Sequence, residues 1–182
     1  MPVYQPEACA VFRRARDPLG PLSNMAPGYP VTIGPLLIAT SEHCYQASKV
    51  PSDLRATVLA APGGVAAKAA AYELHSSWHP RWGEHREVIM QWVLATKLQQ
   101  HADRLLPLLL DTSGRDIVEW SRADPFWGAV PGDGGLLAGD NRLGRLWGSL
   151  RAIVEGSGLK AVTNLAEAPP YFIGRFEWLG AP

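Results

Sequence analysis

The sequence predicts a single domain of mixed class, several helices linked by short strands and loops, and three observations carry that expectation. Apolar residues recur at helical spacing in two long stretches, Arg81 to Gln99 and Asn141 to Glu155. The first forty residues are broken by Pro18, Pro21, Pro27, Pro30 and Pro35, with Gly20, Gly28 and Gly34 between them, which leaves room for short strands and little for helix. A chain of 182 residues with 47% hydrophobic content can bury a sizeable core, and its length favours one domain over two.

In order along the chain, short strands are expected at Ala10 to Arg13 and Leu36 to Thr40. Ser41 suits the N-cap of a helix that Pro51 should end near Lys49. Gly63-Gly64 breaks the chain, and Val65 to His75 is Ala-rich enough for a scaffold helix. From Arg81 to Gln99, the residues Trp82, Arg86, Ile89, Met90, Val93 and Lys97 form one helical stripe. Ala102 to Leu110 reads as a short apolar helix despite Pro107, and Arg115 to Trp120 as a brief strand. Gly128 to Gly139 reads as a Gly-rich loop. The last helix runs from about Asn141 to Glu155, capped by Asp140, with Leu143, Leu146, Leu150 and Ile153 on its buried side. Beyond Gly156 the composition changes, and Tyr171 to Leu179 suggests a terminal strand or extended arm. No repeat appears.

Seventeen basic and seventeen acidic side chains cancel, so a sequence-independent hold on nucleic-acid backbone, driven by counterion release, is expected to be weak. The start has no basic region followed by an apolar run, and no segment reaches membrane-spanning length, so the expectation is a soluble cytoplasmic protein with no membrane partner. Cys9 and Cys44, without a CxxC, fit free thiols in a reducing compartment. Seven Trp can fill a core or line a pocket for a flat ligand.

The segment Ser41-Glu42-His43-Cys44-Tyr45-Gln46-Ala47-Ser48-Lys49 concentrates the chemistry. On a helix, Glu42 and Lys49 are nearly eclipsed, Tyr45 and Gln46 lie between them on the same stripe, and Cys44 points away. The rise separates the two ends by roughly 10 Å, enough to hold a nucleoside-sized group. Asp124, in Asp124-Pro125-Phe126-Trp127-Gly128, is the second carboxylate of interest. A carboxylate can activate water or stabilise a cationic sugar carbon, and cutting a bond between sugar and nitrogen needs both. The plain alternative is that Glu42 satisfies the first turn of its helix and Asp124 caps a turn. Lys49 could attack an opened sugar and form a Schiff base, or sit solvated at a helix end. Asn24 and Asn141 could bind ribose hydroxyls or serve as turn residues. The start of the last helix, with Arg142 and Arg145 on adjacent faces, offers backbone N–H groups to a phosphate. His75, His79 and His85 lack the spacing and companion ligands of a metal site, and neither metal nor cofactor is expected.

Together S-E-H-C-Y-Q-A-S-K, the Trp82 to Lys97 helix, D-T-S-G-R-D-I-V-E-W, D-P-F-W-G and G-D-N-R-L-G resemble the NADAR family, also called YbiA-like, in order and spacing over roughly residues 10 to 155. The early Leu22-Ser23-Asn24 fits as well. The resemblance implies a compact, predominantly helical α+β domain that cleaves N-glycosidic bonds without a metal. It implies one of two substrate classes: ADP-ribose on guanine bases of DNA or RNA, or the phosphoribosylamino intermediates of riboflavin synthesis. It assigns catalysis to Glu42, Lys49 and Asp124. Substrate contacts fall to Asn24, Tyr45, Gln46, Trp82, Trp127, Gly128, Asn141 and Arg142, with the two tryptophans stacking on the base or sugar. Release of ADP-ribose from modified guanine is the favoured reaction, an antitoxin-like role opposite a cognate ADP-ribosyltransferase toxin. A binding module that holds ADP-ribose or a nucleotide without turnover is the other class.

The chain also departs from that family. Cys44 stands where an aromatic residue is usual. Trp127-Gly128-Ala129-Val130 lacks a second glycine. A Gly-Arg pair before the long helix is replaced around Ala71-Tyr72-Glu73-Leu74, and the tail after Gly156 has no counterpart. The expected division is therefore a catalytic domain over 1–156 and a C-terminal extension over 157–182 packed on it.

Overall fold

A computed structural model describes residues 1–167 together with the backbone of Phe172–Ile173 and Glu177–Trp178. The chain runs β1 (Val3–Tyr4), β2 (Ala10–Phe12), β3 (Val31–Ile33), β4 (Leu36–Ile38), α1 (Ser41–Ala47), α2 (Arg55–Leu59), α3 (Gly64–Glu73), α4 (Trp82–Gln100) and α5 (Ala102–Leu110). It continues through β5 (Ile117–Glu119), β6 (Val130–Pro131), β7 (Leu137–Ala138), α6 (Arg142–Ser157), α7 (Thr163–Ala166), β8 (Phe172–Ile173) and β9 (Glu177–Trp178). The class is α+β, predominantly helical with a few short strands. Its contacts divide into two compact units, Met1–Ser23 with His101–Val162, and Asn24–Gln100 with Thr163–Pro182.

In the first unit, β1, β7 and β6 form an antiparallel sheet in that order, and β2 pairs in parallel with β5, Ala10 opposite Ile117 and Phe12 opposite Glu119. The α6 helix lies on β5 and buries Leu143, Trp147, Leu150 and Val154. Trp147 is wholly enclosed and donates its indole N–H to the Leu22 carbonyl at 2.9 Å, so its one polar atom is satisfied. Gly144 is required where α6 meets β5, because a Cβ there would strike the Ile117 carbonyl and the Asn141 amide. The segment expected to be a Gly-rich loop is a short hairpin, β6 to β7, because Gly134 and Gly135 reverse the chain at φ values of 65° and 78° that other residues rarely adopt. Asn141 rather than Asp140 precedes α6, in the left-handed region at φ 49°.

In the second unit, β3 and β4 form a hairpin that turns at Gly34, with φ 55°. Gln100 pins β3 to α4 reciprocally: its Oε1 accepts the Thr32 N–H at 2.7 Å, and its Nε2 donates to the Thr32 carbonyl at 2.8 Å. All seven residues of α1 are buried, with α2, α3 and α4 packed around it. The predicted α4 stripe is buried at Trp82, Ile89, Met90, Val93 and Lys97, while Arg86 is half-buried. Toward its C-terminal end α4 also buries Trp92, Leu94, Ala95 and Leu98, so it is covered on several sides. One of those covers is α7, tied by the Trp92 indole to the Ala166 carbonyl at 3.1 Å and by Gln99 to the Thr163 hydroxyl at 2.8 Å. The terminal strand expected over Tyr171 to Leu179 is an antiparallel pair, Phe172 opposite Trp178; the rest of that stretch lies outside the described residues.

Candidate functional site

The helix that carries the S-E-H-C-Y-Q-A-S-K segment starts one residue earlier than Ser41 suggests. Thr40 is extended at φ −148°, and its hydroxyl accepts the His43 backbone N–H at 3.3 Å, so Thr40 is the N-cap and Ser41 belongs to α1. His43 ties this cap to the loop before α3, with Nδ1 2.8 Å from the Thr40 hydroxyl and Nε2 3.0 Å from the Ala61 carbonyl. A carbonyl only accepts, which places the proton of the neutral ring on Nε2 and leaves Nδ1 to accept from Thr40. The helix ends at Ala47. The Ser48 hydroxyl turns back to the Cys44 carbonyl at 2.7 Å, and the Lys49 N–H bonds to Gln46 at 3.1 Å in a tightened last turn. Lys49 therefore lies just beyond the helix rather than on its face. Cys44 points into the core and is fully buried, and burial pushes its thiol up.

Glu42 is 6% exposed. Its Oε1 accepts the Gln46 side-chain N–H at 2.6 Å, and its backbone N–H is taken by the Asn24 carbonyl at 3.1 Å. Burial lifts the carboxyl above the usual range, and the Gln46 hydrogen bond and the charges of Lys68, Lys49 and His43 pull against it without reversing it. Beside it are buried polar atoms without a protein partner: Oε1 of Gln46, Oδ1 of Asn24 and the Ser41 hydroxyl. Asn24 is held by its other amide atom, which donates to the Met90 sulfur at 3.0 Å. An unsatisfied buried acceptor costs roughly 1–3 kcal/mol, and such groups mark places where a polar ligand can complete the bonding.

Lys49 is also buried, at 3% exposure, and aromatic rings surround its ammonium. Nζ lies 4.1 Å from the centre of Trp78, 4.7 Å from Tyr72, 5.4 Å from Tyr45 and 5.6 Å from Trp82. All four distances are within reach of a cation–π attraction. The cage is itself braced. Tyr45 packs on Trp82 at 5.1 Å, Tyr72 meets Trp78 edge-on at 5.0 Å, and the Trp78 indole donates to the Ala71 carbonyl at 2.7 Å. Tyr45, Gln46 and Trp82 thus gather with Glu42 and Lys49, Tyr45 and Gln46 from α1, Lys49 from just past its end and Trp82 from the start of α4.

The sequence reading missed α3 as a wall of this site. Gly64, Lys68 and Tyr72 recur every four residues and so share one face. Gly64 packs against Glu42, where an added Cβ would meet the Met25 sulfur at 2.7 Å and Glu42 Cβ at 3.1 Å. Lys68 puts a positive charge on the same carboxylate, and Tyr72 covers the lysine. That spacing was the available signal, and alanine content masked it.

The remaining predicted residues belong to the first unit, as a group around the start of α6. Asp124 Oδ1 accepts the backbone N–H groups of Phe126 at 3.1 Å and Trp127 at 2.9 Å, closing the Asp124–Gly128 turn. Trp127 is half-buried and meets Phe126 edge-on at 5.0 Å. Gly128 is backbone only, and a Cβ there would strike the Glu119 carbonyl at 2.6 Å. Asn141 engages both ends of its amide with β5, donating to the Ile117 carbonyl at 2.8 Å and accepting the Glu119 N–H at 3.0 Å. Arg142 Nε lies 3.8 Å from Asp140, and its guanidinium 5.7 Å from the Phe126 ring centre. The α6 N–H groups that the sequence offered to a phosphate are occupied, Arg142 bonding to the Phe126 carbonyl at 3.0 Å and Leu143 to Trp127 at 2.9 Å. The Asp124 turn caps that helix through its carbonyls. Two clefts of this unit, about 450 and 650 Å³, lie along β1 and share Val3, Tyr4, Asp116 and Arg151; neither is lined by Glu42 or Asp124.

Among the described residues no helix is long and apolar enough to cross a membrane. No curated protein sequence matches the chain. Among solved structures it is similar to the Escherichia coli protein YbiA, determined by NMR, at 28% identity and a TM-score of 0.69 over 83% of this chain and 88% of that one. The sequence profile of the NADAR domain matches residues 11–155. The chain belongs to the NADAR family, which includes N-glycosidases.

Proposed function

We propose that this protein is an N-glycosidase that hydrolyses the bond between ribose C1′ and the guanine nitrogen of ADP-ribosylated guanine in DNA or RNA, releasing ADP-ribose. The observation that carries the reading is the pairing, on one segment, of a buried carboxyl kept prone to protonation with a buried lysine nitrogen set among aromatic rings. A proton donor for the departing base and an amine for the sugar carbon are the two groups such a reaction needs.

In the ring-opened substrate C1′ is doubly bonded to the guanine nitrogen. The neutral amine of Lys49 adds to C1′, the guanine nitrogen takes one proton from Glu42 and a second from Nζ, and guanine departs as the free amine, leaving C1′ bonded to Nζ as an iminium. Water then adds to C1′, its proton returns to Glu42, and the C1′–Nζ bond breaks to release ADP-ribose and the lysine. The unpartnered oxygens of Asn24 and Gln46 are acceptors suited to ribose hydroxyls. Stacking of the base is assigned to Trp82, and a further substrate contact to Tyr45. A transferase toxin that writes this mark on guanine would be the cognate partner.

Incubation with an ADP-ribosylated guanine oligonucleotide, followed by mass analysis, should show free ADP-ribose and restored guanine. Binding without release would make the domain a reader of the mark. Turnover confined to phosphoribosylamino pyrimidines in a parallel reaction would move the substrate to riboflavin synthesis. Borohydride added during turnover should fix the sugar to Lys49, and the absence of that adduct would replace the iminium with direct attack by water.

A further inference from the structure

We propose that Tyr72 and Trp78 are positioning residues for Lys49, which with Tyr45 and Trp82 hold its nitrogen in place as the attacking amine becomes the charged iminium. The inference rests on the N-glycosidase reading above. Neither residue belongs to the α1 segment or to the long-helix stripe, yet they supply the two ring centres nearest Nζ, at 4.7 and 4.1 Å. Trp78 is fixed by its bond to the Ala71 carbonyl and by Tyr72 packed on its edge. Tyr72 remains 52% exposed, so its ring covers the lysine from the solvent side instead of filling the core.

The physical reason lies in what a ring face senses. Attraction to an aromatic quadrupole follows the charge on the nitrogen and not the number of its N–H bonds. A hydrogen-bonded partner loses its contact as N–H bonds are replaced by the bond to C1′. A ring keeps its contact, because the iminium carries the same single charge as the ammonium. Water outside the cage competes for that charge, and the exposed Tyr72 ring stands between the two. Against the neutral amine that attacks C1′, each ring favours the charged iminium by about two- to thirty-fold, depending on how dry the site is.

The experiment compares wild type with Tyr72→Leu, Trp78→Leu and the ring-preserving Tyr72→Phe, using an ADP-ribosylated guanine oligonucleotide. Turnover and the fraction of enzyme trapped by borohydride should both fall about ten-fold in the leucine variants. Tyr72→Phe should restore both to within about two-fold, which a merely structural role of the hydroxyl would not produce. In parallel, and without substrate, the Lys49 ε-methylene protons should carry an upfield ring-current shift in the NMR spectrum that shrinks in each leucine variant. Folded leucine variants with wild-type trapping and turnover overturn the inference. So does release of ADP-ribose by wild type with no trapped adduct, although that result leaves the glycosidase reading standing. If wild type releases nothing, the glycosidase reading fails, and ring-current shifts unchanged in the leucine variants then overturn the cage itself.

Discussion

Replacing Glu42 by glutamine separates the chemistry of this residue from its effect on stability. The amide oxygen of the new side chain can accept the Gln46 N–H that the carboxylate accepts now at 2.6 Å, so the local geometry is kept while the titrating group is removed. Burial raises the carboxyl above its ordinary value of 4.5, so the folded chain retains a proton that the unfolded chain has released. The sign follows: wild-type stability falls as pH rises from about 4.5 through the folded value and is lowest above it. Within that window the slope approaches about 1.4 kcal/mol per pH unit, and for a chain of this size each kcal/mol moves the melting temperature by about 2–4 °C. Glu42→Gln has no such loss, so its melting temperature should match wild type near pH 4.5, exceed it increasingly as pH rises through the folded value, and keep a constant lead above it. Turnover on the ADP-ribosylated oligonucleotide should be abolished at every pH. Thermal melts of both proteins in matched buffers give the difference curve directly. A difference that is flat with pH, or that favours wild type at neutral pH, would mean that Gln46, Lys68, Lys49 and His43 outweigh burial and that the acid role assigned to Glu42 is wrong.

Gly64→Ala gains up to about 1 kcal/mol of helix preference but loses a similar amount or more to overpacking against Met25 and Glu42, so melting should barely move while kcat falls at least about ten-fold. Asn141→Ala removes two bonds to β5 and should lower stability by about 2–3 kcal/mol in urea unfolding; a loss below about 0.5 kcal/mol, the level of an exposed substitution, would contradict the bonding described. Lys97 is fully enclosed, and burial brings its amine down to about 7, so Lys97→Met should stabilise most at pH below about 7, with the gain fading as pH rises toward 10.5. A thiol reagent should modify the half-buried Cys9 in the native protein and reach Cys44 only on unfolding.

Elements with a strong period are legible in the order of residues alone. The α4 stripe from Trp82 to Lys97 follows from residues spaced to one side, and α5 appears over the span its composition indicates. On α6 the expected Leu143 and Leu150 are buried, but Trp147 and Val154 take the buried places expected of Leu146 and Ile153, which are half-buried. The short pieces are not legible in that way. The β1 and β3 strands have two and three residues, and α2 has five, too few to express a period. Cap positions slip by one residue because Thr40 and Ser41 are both good caps and only the backbone angle at Thr40 decides between them. At the candidate site, the order of residues along α1 reveals Glu42, Gln46 and Lys49. It cannot reveal Tyr72 and Trp78, whose relation to Lys49 exists only after the chain has turned back through α3. The hydrogen bonds that engage Asn141 and Asp124 within their own turns are likewise invisible, since an amide or carboxylate in a loop reads the same whichever partner it finds.

The four-residue repeat of Gly64, Lys68 and Tyr72 along α3 divides labour between two helices. Acid and amine sit on or just past α1, whose every residue is enclosed, while the surface they face is written on a helix otherwise built largely from alanine. Substitutions along that face therefore act on the acid and the amine from outside, through packing at Gly64, charge at Lys68 and the ring of Tyr72, while the residues of α1 stay as they are. An insertion or deletion of a single residue between positions 64 and 72 would instead turn part of the face by about 100° and dismantle it at once. Variation in relatives of this chain should then accumulate along α3 as replacements in place, with its length held constant.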